Sequence, residues 1–424
     1  MKILNRLTLA MLMASTLAAA CKNTPGNDSN SDTSTVIGTG GNADTATLPP
    51  VETKAPNSDY KPAFAGQTRA PGMRTKTPLI VTIINSSLNA PWAICNLPDG
   101  RFLITQKAGS MVILTSAGVK DKEITGLPAV VNAGQGGLLD VNIDPQFSSN
   151  RMVYWDYAEQ QSTGGSLLAV AKGKLSADET KIENIQVIYR AQPAYSGGNL
   201  QYGSRMVFDQ QGNLFITTGE RSGDDIRMKA QDLSAGIGKV IHITKDGAAV
   251  PNGPFANTAN ALPEVYALGL RSPEGLAWNP VSNELWEAEF GPRGGDEINV
   301  IEPGKNYGWP VITYGIEYSG AKVGDGIQQK AGMEQPLYYW DPVISPSGIA
   351  FYNSDVISEW KGNLFLACLS SQHICRIALN GHKVIGEERL LASEGQRFRA
   401  LAQGKDGALY AVTDGGRLYR ITKK

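Results

Sequence analysis

Histidine is scarce in this chain of 424 residues. His242, His373 and His382 are the only three, and none stands at zinc-ligand spacing from another, so a histidine-based zinc site is excluded. Cysteine is nearly as rare, with four. Excess charge is also missing: the formal net charge is -1 and no stretch concentrates basic residues, which excludes a nucleic-acid binder. Beyond the extreme N-terminus no apolar run approaches the length that spans a bilayer, and long amphipathic helical patterns are absent.

Glycine and proline are abundant, at 47 and 23 residues, and Val, Ile, Tyr and Trp recur in short runs, which favours an all-β chain rich in turns. The N-terminus stands apart from that pattern. Lys2 and Arg6 supply a positive start, Leu7 to Leu17 an apolar core, and Ala18, Ala19 and Ala20 the small residues of a cleavage site, so residues 1–20 read as a signal peptide. Cys21 follows at once, and Leu17-Ala18-Ala19-Ala20-Cys21 is similar to a bacterial lipobox. The expectation is an exported lipoprotein of the bacterial cell envelope, periplasmic or on the outer membrane, touching the membrane only through a lipid anchor. An ordinary secretory signal that happens to precede a cysteine is the alternative. Residues 21–72, dominated by Ser, Thr, Asn, Asp, Gly and Pro, read as a flexible linker, and residues 73–424 as the folded domain. Export permits a disulfide between Cys368 and Cys375; two buried free thiols are an equal reading.

From Thr77 onward a loose unit repeats: an apolar strand, a turn with Asp or Asn and Gly, then a second apolar strand. The first copy runs from Trp92 through Asp99-Gly100 to Thr105, and the last from Arg399 through Asp406-Gly407 to Thr413. Between them lie Leu138 to Tyr157, Met206 to Thr218, Gly275 to Glu289 and Gly348 to Cys368. Turns of this kind between alternating apolar runs are hairpin signals. Six such units suit a six-bladed β-propeller, whereas a β-sandwich needs no six similar units.

The stretch from Pro263 to Pro310 carries the densest chemistry. Its run Gly291-Pro292-Arg293-Gly294-Gly295-Asp296-Glu297 follows a strand-like Trp286 to Phe290 and offers main-chain carbonyls and hard carboxylate oxygens together. That donor set suits Ca²⁺. A solvated acidic turn is the plainer reading of Asp296 and Glu297.

Several separated motifs, among them LNAPWAICNLPDGRFLIT, GQGGLLDVNIDPQF, GLRSPEGLAWNP, EFGPRGGDEINVIEPGKNYGWP and QRFRALAQGKDGALYAVTD, resemble the soluble aldose sugar dehydrogenases that depend on pyrroloquinoline quinone (PQQ), the glucose/sorbosone dehydrogenase family. The likeness covers roughly Leu88 to Thr422 and implies a six-bladed propeller that oxidises an aldose to a lactone and passes electrons to an external acceptor. It places a Ca²⁺ that touches the quinone on the carbonyls of Gly291 and Pro292, and a structural Ca²⁺ on Glu297 and the backbone of Tyr307. By the same resemblance Arg271 stands at the reactive quinone carbonyl, Arg397 and Arg399 clamp the cofactor, and Gln135 lines its pocket. Guanidinium groups suit the three carboxylates of that cofactor.

The resemblance breaks at the proton acceptor. The family's histidine, four residues before an arginine like Arg205, is Gln201 here, and a neutral amide takes no proton at physiological pH. Ser272, Phe290, Leu200 and Ser370 also depart from the pattern, Ser370 at the place of a cofactor-binding lysine. Glu220 and His373 are the candidate substitutes. Two readings follow: a calcium- and PQQ-dependent sugar dehydrogenase, or a non-catalytic calcium-binding propeller that binds a carbohydrate or a protein.

Overall fold

The computed structural model describes residues 48–424, together with the backbone of a short strand at Ser34–Ile37. The signal peptide expected over residues 1–20 and the lipidation site at Cys21 lie outside the described residues. Among those described, no helix is long and apolar enough to cross a membrane.

Six antiparallel sheets stand in a ring, and the chain is a six-bladed β-propeller. Blades 1 to 5 follow in sequence, with innermost strands Pro91–Asn96, Leu138–Ile143, Gly203–Phe208, Pro273–Trp278 and Pro346–Phe351. Blade 6 has Phe398–Gln403 innermost and closes the ring by recruiting the early strand Leu79–Asn85 against Leu418–Lys423, with Val81 opposite Ile421. The six sequence repeats are the two inner strands of the six blades.

Local chemistry explains these hairpins. Gly100 takes a positive φ of 91° at the turn after Asp99, its N–H donates to the Leu97 carbonyl, and Phe102 then pairs with Asn96. The second strand of a blade is covered on both faces by neighbouring blades, so strands such as Phe102–Gln106 and Leu364–Cys368 are buried throughout. At about 1.5–3 kcal/mol per fully buried large apolar side chain, these strands supply much of the stability.

The flexible linker expected through residue 72 is corrected for residues 48–72, which lie docked along the outer edges of blades 4 and 5. Polar composition concealed this, because side-chain to backbone bonds do the holding. The Gln67 side chain donates to the Pro336 carbonyl and Tyr339 N–H to the Gln67 carbonyl, both at 2.9 Å. Ala70 N–H donates to the Tyr338 hydroxyl at 2.8 Å, and Glu52 pairs with Arg389 at 2.8 Å. Cys368 and Cys375 are buried and unbridged.

Candidate functional site

A cavity of about 470 Å³ opens at the centre of the ring, where the loops that lead into the inner strands and those that follow the second strands converge. Every blade contributes to its wall: Lys107, Gln135, Gln201, Arg271, Ser345 and Arg399 represent blades 1 to 6 in turn. Gly291, Pro292 and Arg397 line it as well. Seven of the nine residues singled out from sequence thus share one cavity. The other two, Glu297 and Tyr307, line a small adjoining void of about 10 Å³, room for about one water-sized occupant.

The loop from Gly291 to Asp296 joins strands Leu285–Glu289 and Asp296–Ile301 of blade 4. It folds tightly upon itself, and a Cβ on Gly291 would overlap the Gly294 and Gly295 carbonyls. Asp296 is its brace. One carboxylate oxygen accepts Gly291 N–H at 2.8 Å, and the other accepts Ile344 N–H at 2.7 Å and Ser345 N–H at 2.6 Å. Burial pushes this carboxyl up to about 7, against the pull of those amides.

Arg271 stands just before Pro273–Trp278, the inner strand of the same blade. Its Nη1 donates to the Gly291 carbonyl at 2.6 Å and to the Phe290 carbonyl at 3.0 Å, its guanidinium lies 5.1 Å from the centre of the Trp309 ring, and its Nε is buried without a partner. An unpaired buried donor beside an open cavity fits an anionic or carbonyl ligand.

Arg397 and Arg399 lean on one carboxylate: their Nε atoms donate to the two oxygens of Asp414 at 2.9 and 2.8 Å. Arg399 also donates to Glu274 at 2.8 Å, and Glu274 accepts the Ser347 hydroxyl on the same oxygen. Arg399 is therefore a fixed, neutralised wall, while Arg397, with 46% of its side chain exposed, is freer to meet a ligand.

Gln201 is buried in the cavity wall at a φ of +49°. Its N–H donates to the Gln135 side-chain oxygen at 2.5 Å, while its own side-chain oxygen is buried with no partner. Neither suggested substitute base borders this cavity. Glu220 is buried beside it and pushed up to about 7 by burial. His373 is sealed in blade 5, its Nδ1 on the Ser371 carbonyl, and burial near Arg389 lowers it to about 4. Trp92, Lys107, Glu274 and Asp414 are wall residues that sequence reasoning missed. Glu274 left a signal, a carboxylate inside an apolar strand three residues after Arg271.

Behind the loop, three glutamates share a buried face of blade 4. Glu289 pairs in register with Glu297, and Glu287 with Asn299. The Asn299 side chain donates to Glu287 at 3.1 Å, Arg271 N–H to Glu289 at 2.5 Å, and one Glu287 oxygen has no partner. Burial and mutual repulsion raise Glu287 and Glu297 well above the carboxylate range, and burial takes Glu289 to about 7. Among the described residues no three such side chains converge as a ready metal cage.

The wall just described is matched by the family model for Glucose / Sorbosone dehydrogenase over residues 88–420. The chain belongs to the glucose/sorbosone dehydrogenase family. Within this family it is 40% identical over 348 residues to the Escherichia coli aldose sugar dehydrogenase YliI, covering 81% of this chain and 93% of the relative. The crystal structure of the soluble E. coli aldose sugar dehydrogenase in its apo-form superposes with a TM-score of 0.78 at 39% identity, covering 82% of this chain and all of that one. The PQQ-bound form of the Streptomyces coelicolor aldose sugar dehydrogenase superposes with a TM-score of 0.66 at 27% identity, over 82% of this chain and 98% of that one. Residues 48–76, docked on blades 4 and 5, lie outside the region that the family model matches.

Proposed function

We propose that this protein is a PQQ- and Ca²⁺-dependent dehydrogenase that oxidises an aldose to a lactone and hands the electrons to an external acceptor. The observation that carries the reading is the meeting of Arg271 with the Gly291 carbonyl at the cavity wall, within a chain of this family. The donor set fits. Arg271 with its unpaired Nε, half-exposed Arg397 and Lys107 present positive groups to a tricarboxylate, and the Gly291 and Pro292 carbonyls present oxygens to a hard cation. When bound, the quinone supplies a two-electron hydride acceptor, and the Ca²⁺ polarises it.

The chain's own residues do the rest. Arg271 stabilises negative charge that develops at the cavity wall, and Asp296 holds the carbonyl loop rigid through three amides. Gln201 lines the cavity at the place of the family's proton acceptor but takes no proton, so hydroxyl deprotonation is slow. Glu297 and the Tyr307 backbone hold a second, structural Ca²⁺ that offsets the buried glutamates. Purified protein given Ca²⁺, PQQ and an aldose panel should reduce an artificial acceptor slowly; PQQ binding without any turnover favours instead a non-catalytic binding propeller, to which Gln201 points. The signal-peptide-like residues 1–20 and Cys21 support our proposal that the protein is a lipoprotein of the cell envelope, tested by fatty-acid labelling that Cys21→Ala abolishes.

A further inference from the structure

We propose that the N-terminal strap, residues 48–76, is a working part of the site, and that Asn57 and Ser58 are positioning residues for the cavity's cation loop. Asp341 follows the outer strand of blade 4 and is 5% exposed. Every donor to its carboxylate comes from the strap. Asn57 gives its N–H and its side-chain amide to one oxygen, each at 2.8 Å, and Ser58 gives its N–H and hydroxyl to the other, each at 3.1 Å. Arg69 of the strap adds a bond to the Asp341 backbone carbonyl at 2.9 Å. A buried carboxylate stripped of these donors is unsustainable and must move toward water.

What moves with it decides the inference. The Asp341 carboxylate packs against Gly294, where a Cβ would stand 2.8 Å from it. Four residues further on, Ser345 N–H and its neighbour Ile344 N–H are the two amides that hold Asp296, and Val343 and Ser345 line the cavity. Arg293 closes a second route, its Nε donating to the Asn57 side-chain oxygen at 3.2 Å. A connected route therefore runs from the strap by hydrogen bonds to Asp341, along the backbone of residues 342–345, and by hydrogen bonds again to Asp296 and Gly291. The strap lies outside residues 88–420, the region that the family model matches, so the brace stands apart from the family-defining blades.

The test is amide hydrogen exchange on full-length, ligand-free protein, comparing Asn57→Ala/Ser58→Ala with wild type. The expected result is at least about tenfold faster exchange at Gly291, Ile344 and Ser345, with blade 2 amides such as Trp155 unchanged. Ser58→Thr in an otherwise wild-type chain keeps the hydroxyl and should keep exchange slow, and Glu52→Ala, which removes the pair with Arg389, should leave the loop protected. Single Ser58→Ala carries the same expectation, with a smaller effect, should the double variant not fold. No change at the loop overturns the proposal, as does faster exchange in every blade. A parallel Ca²⁺ titration by calorimetry should show weaker binding in the double variant. That second readout rests on the proposed cation site, whereas exchange without ligand does not, so failure of the one is distinguishable from failure of the other.

Discussion

The Arg271 guanidinium and the Gly291 carbonyl are hydrogen-bonded at 2.6 Å, so the two groups that the family resemblance assigns to quinone and cation are in direct contact. A Ca²⁺ on that oxygen would stand beside the guanidinium charge, and the prediction is that the two compete. Arg271→Ala should bind Ca²⁺ at this loop more tightly in the absence of PQQ, yet lose about tenfold or more in PQQ affinity, a charge-assisted contact being worth about 1.5–3 kcal/mol. Calorimetry with each ligand alone separates the two effects; a fall in both affinities contradicts the competition.

Gln201→His should raise turnover by about a hundredfold or more, the ordinary contribution of a positioned general base. The gain should appear in kcat, with an acidic limb in the pH profile that the wild type lacks. An unchanged rate shows that the proton leaves by another route.

Stability should depend on pH and Ca²⁺ together. Glu289 and Asp296 stand near 7 in the folded chain, and Glu287 and Glu297 are raised well above the carboxylate range. Folded values above the unfolded ones mean that the folded state holds protons the unfolded state releases. Their stabilising contribution is complete at low pH and is lost as pH rises through about 7 and beyond. Cation binding releases those protons, so the Ca²⁺-induced rise in Tm should be larger at about pH 8 than at about pH 6. Calorimetric scans with Ca²⁺ and with chelator read this directly, and an increment that shrinks with pH contradicts it.

Gly291→Ala should destabilise the domain by about 2 kcal/mol and remove cation binding, because the added methyl overlaps the loop's own carbonyls. The six blades should remain, seen as an unaltered far-ultraviolet circular dichroism spectrum.

The buried thiols of Cys368 and Cys375 should resist a thiol reagent in the native protein and both react after unfolding, burial having raised each well above its usual range. Loss of that reaction without reductant would reveal a bridge.

Much of the fold is legible in the sequence because the inner hairpins carry short apolar strands and Asp-Gly turns, as at Asp99-Gly100 and Asp406-Gly407. The strap is not legible: Asn57, Ser58 and Gln67 bind backbone and carboxylate groups far away in sequence, and no local period announces that. At the cavity, Gln135, Arg271, Gly291 and Arg399 were readable through motifs. Lys107 and Asp414 were not, and Glu274 left only its place in an apolar strand, since its contact with Arg399 forms between blades 4 and 6 when the ring closes. Asp414 shows the consequence, for it neutralises the arginine pair that sequence alone presents as free.

The central claim is tested most directly by titrating the Ca²⁺-loaded protein with PQQ and following the quinone absorbance. The account predicts a saturable change at one quinone per chain, abolished by chelator and weakened in Arg271→Ala. An absorbance that stays that of free quinone at every protein concentration would contradict it.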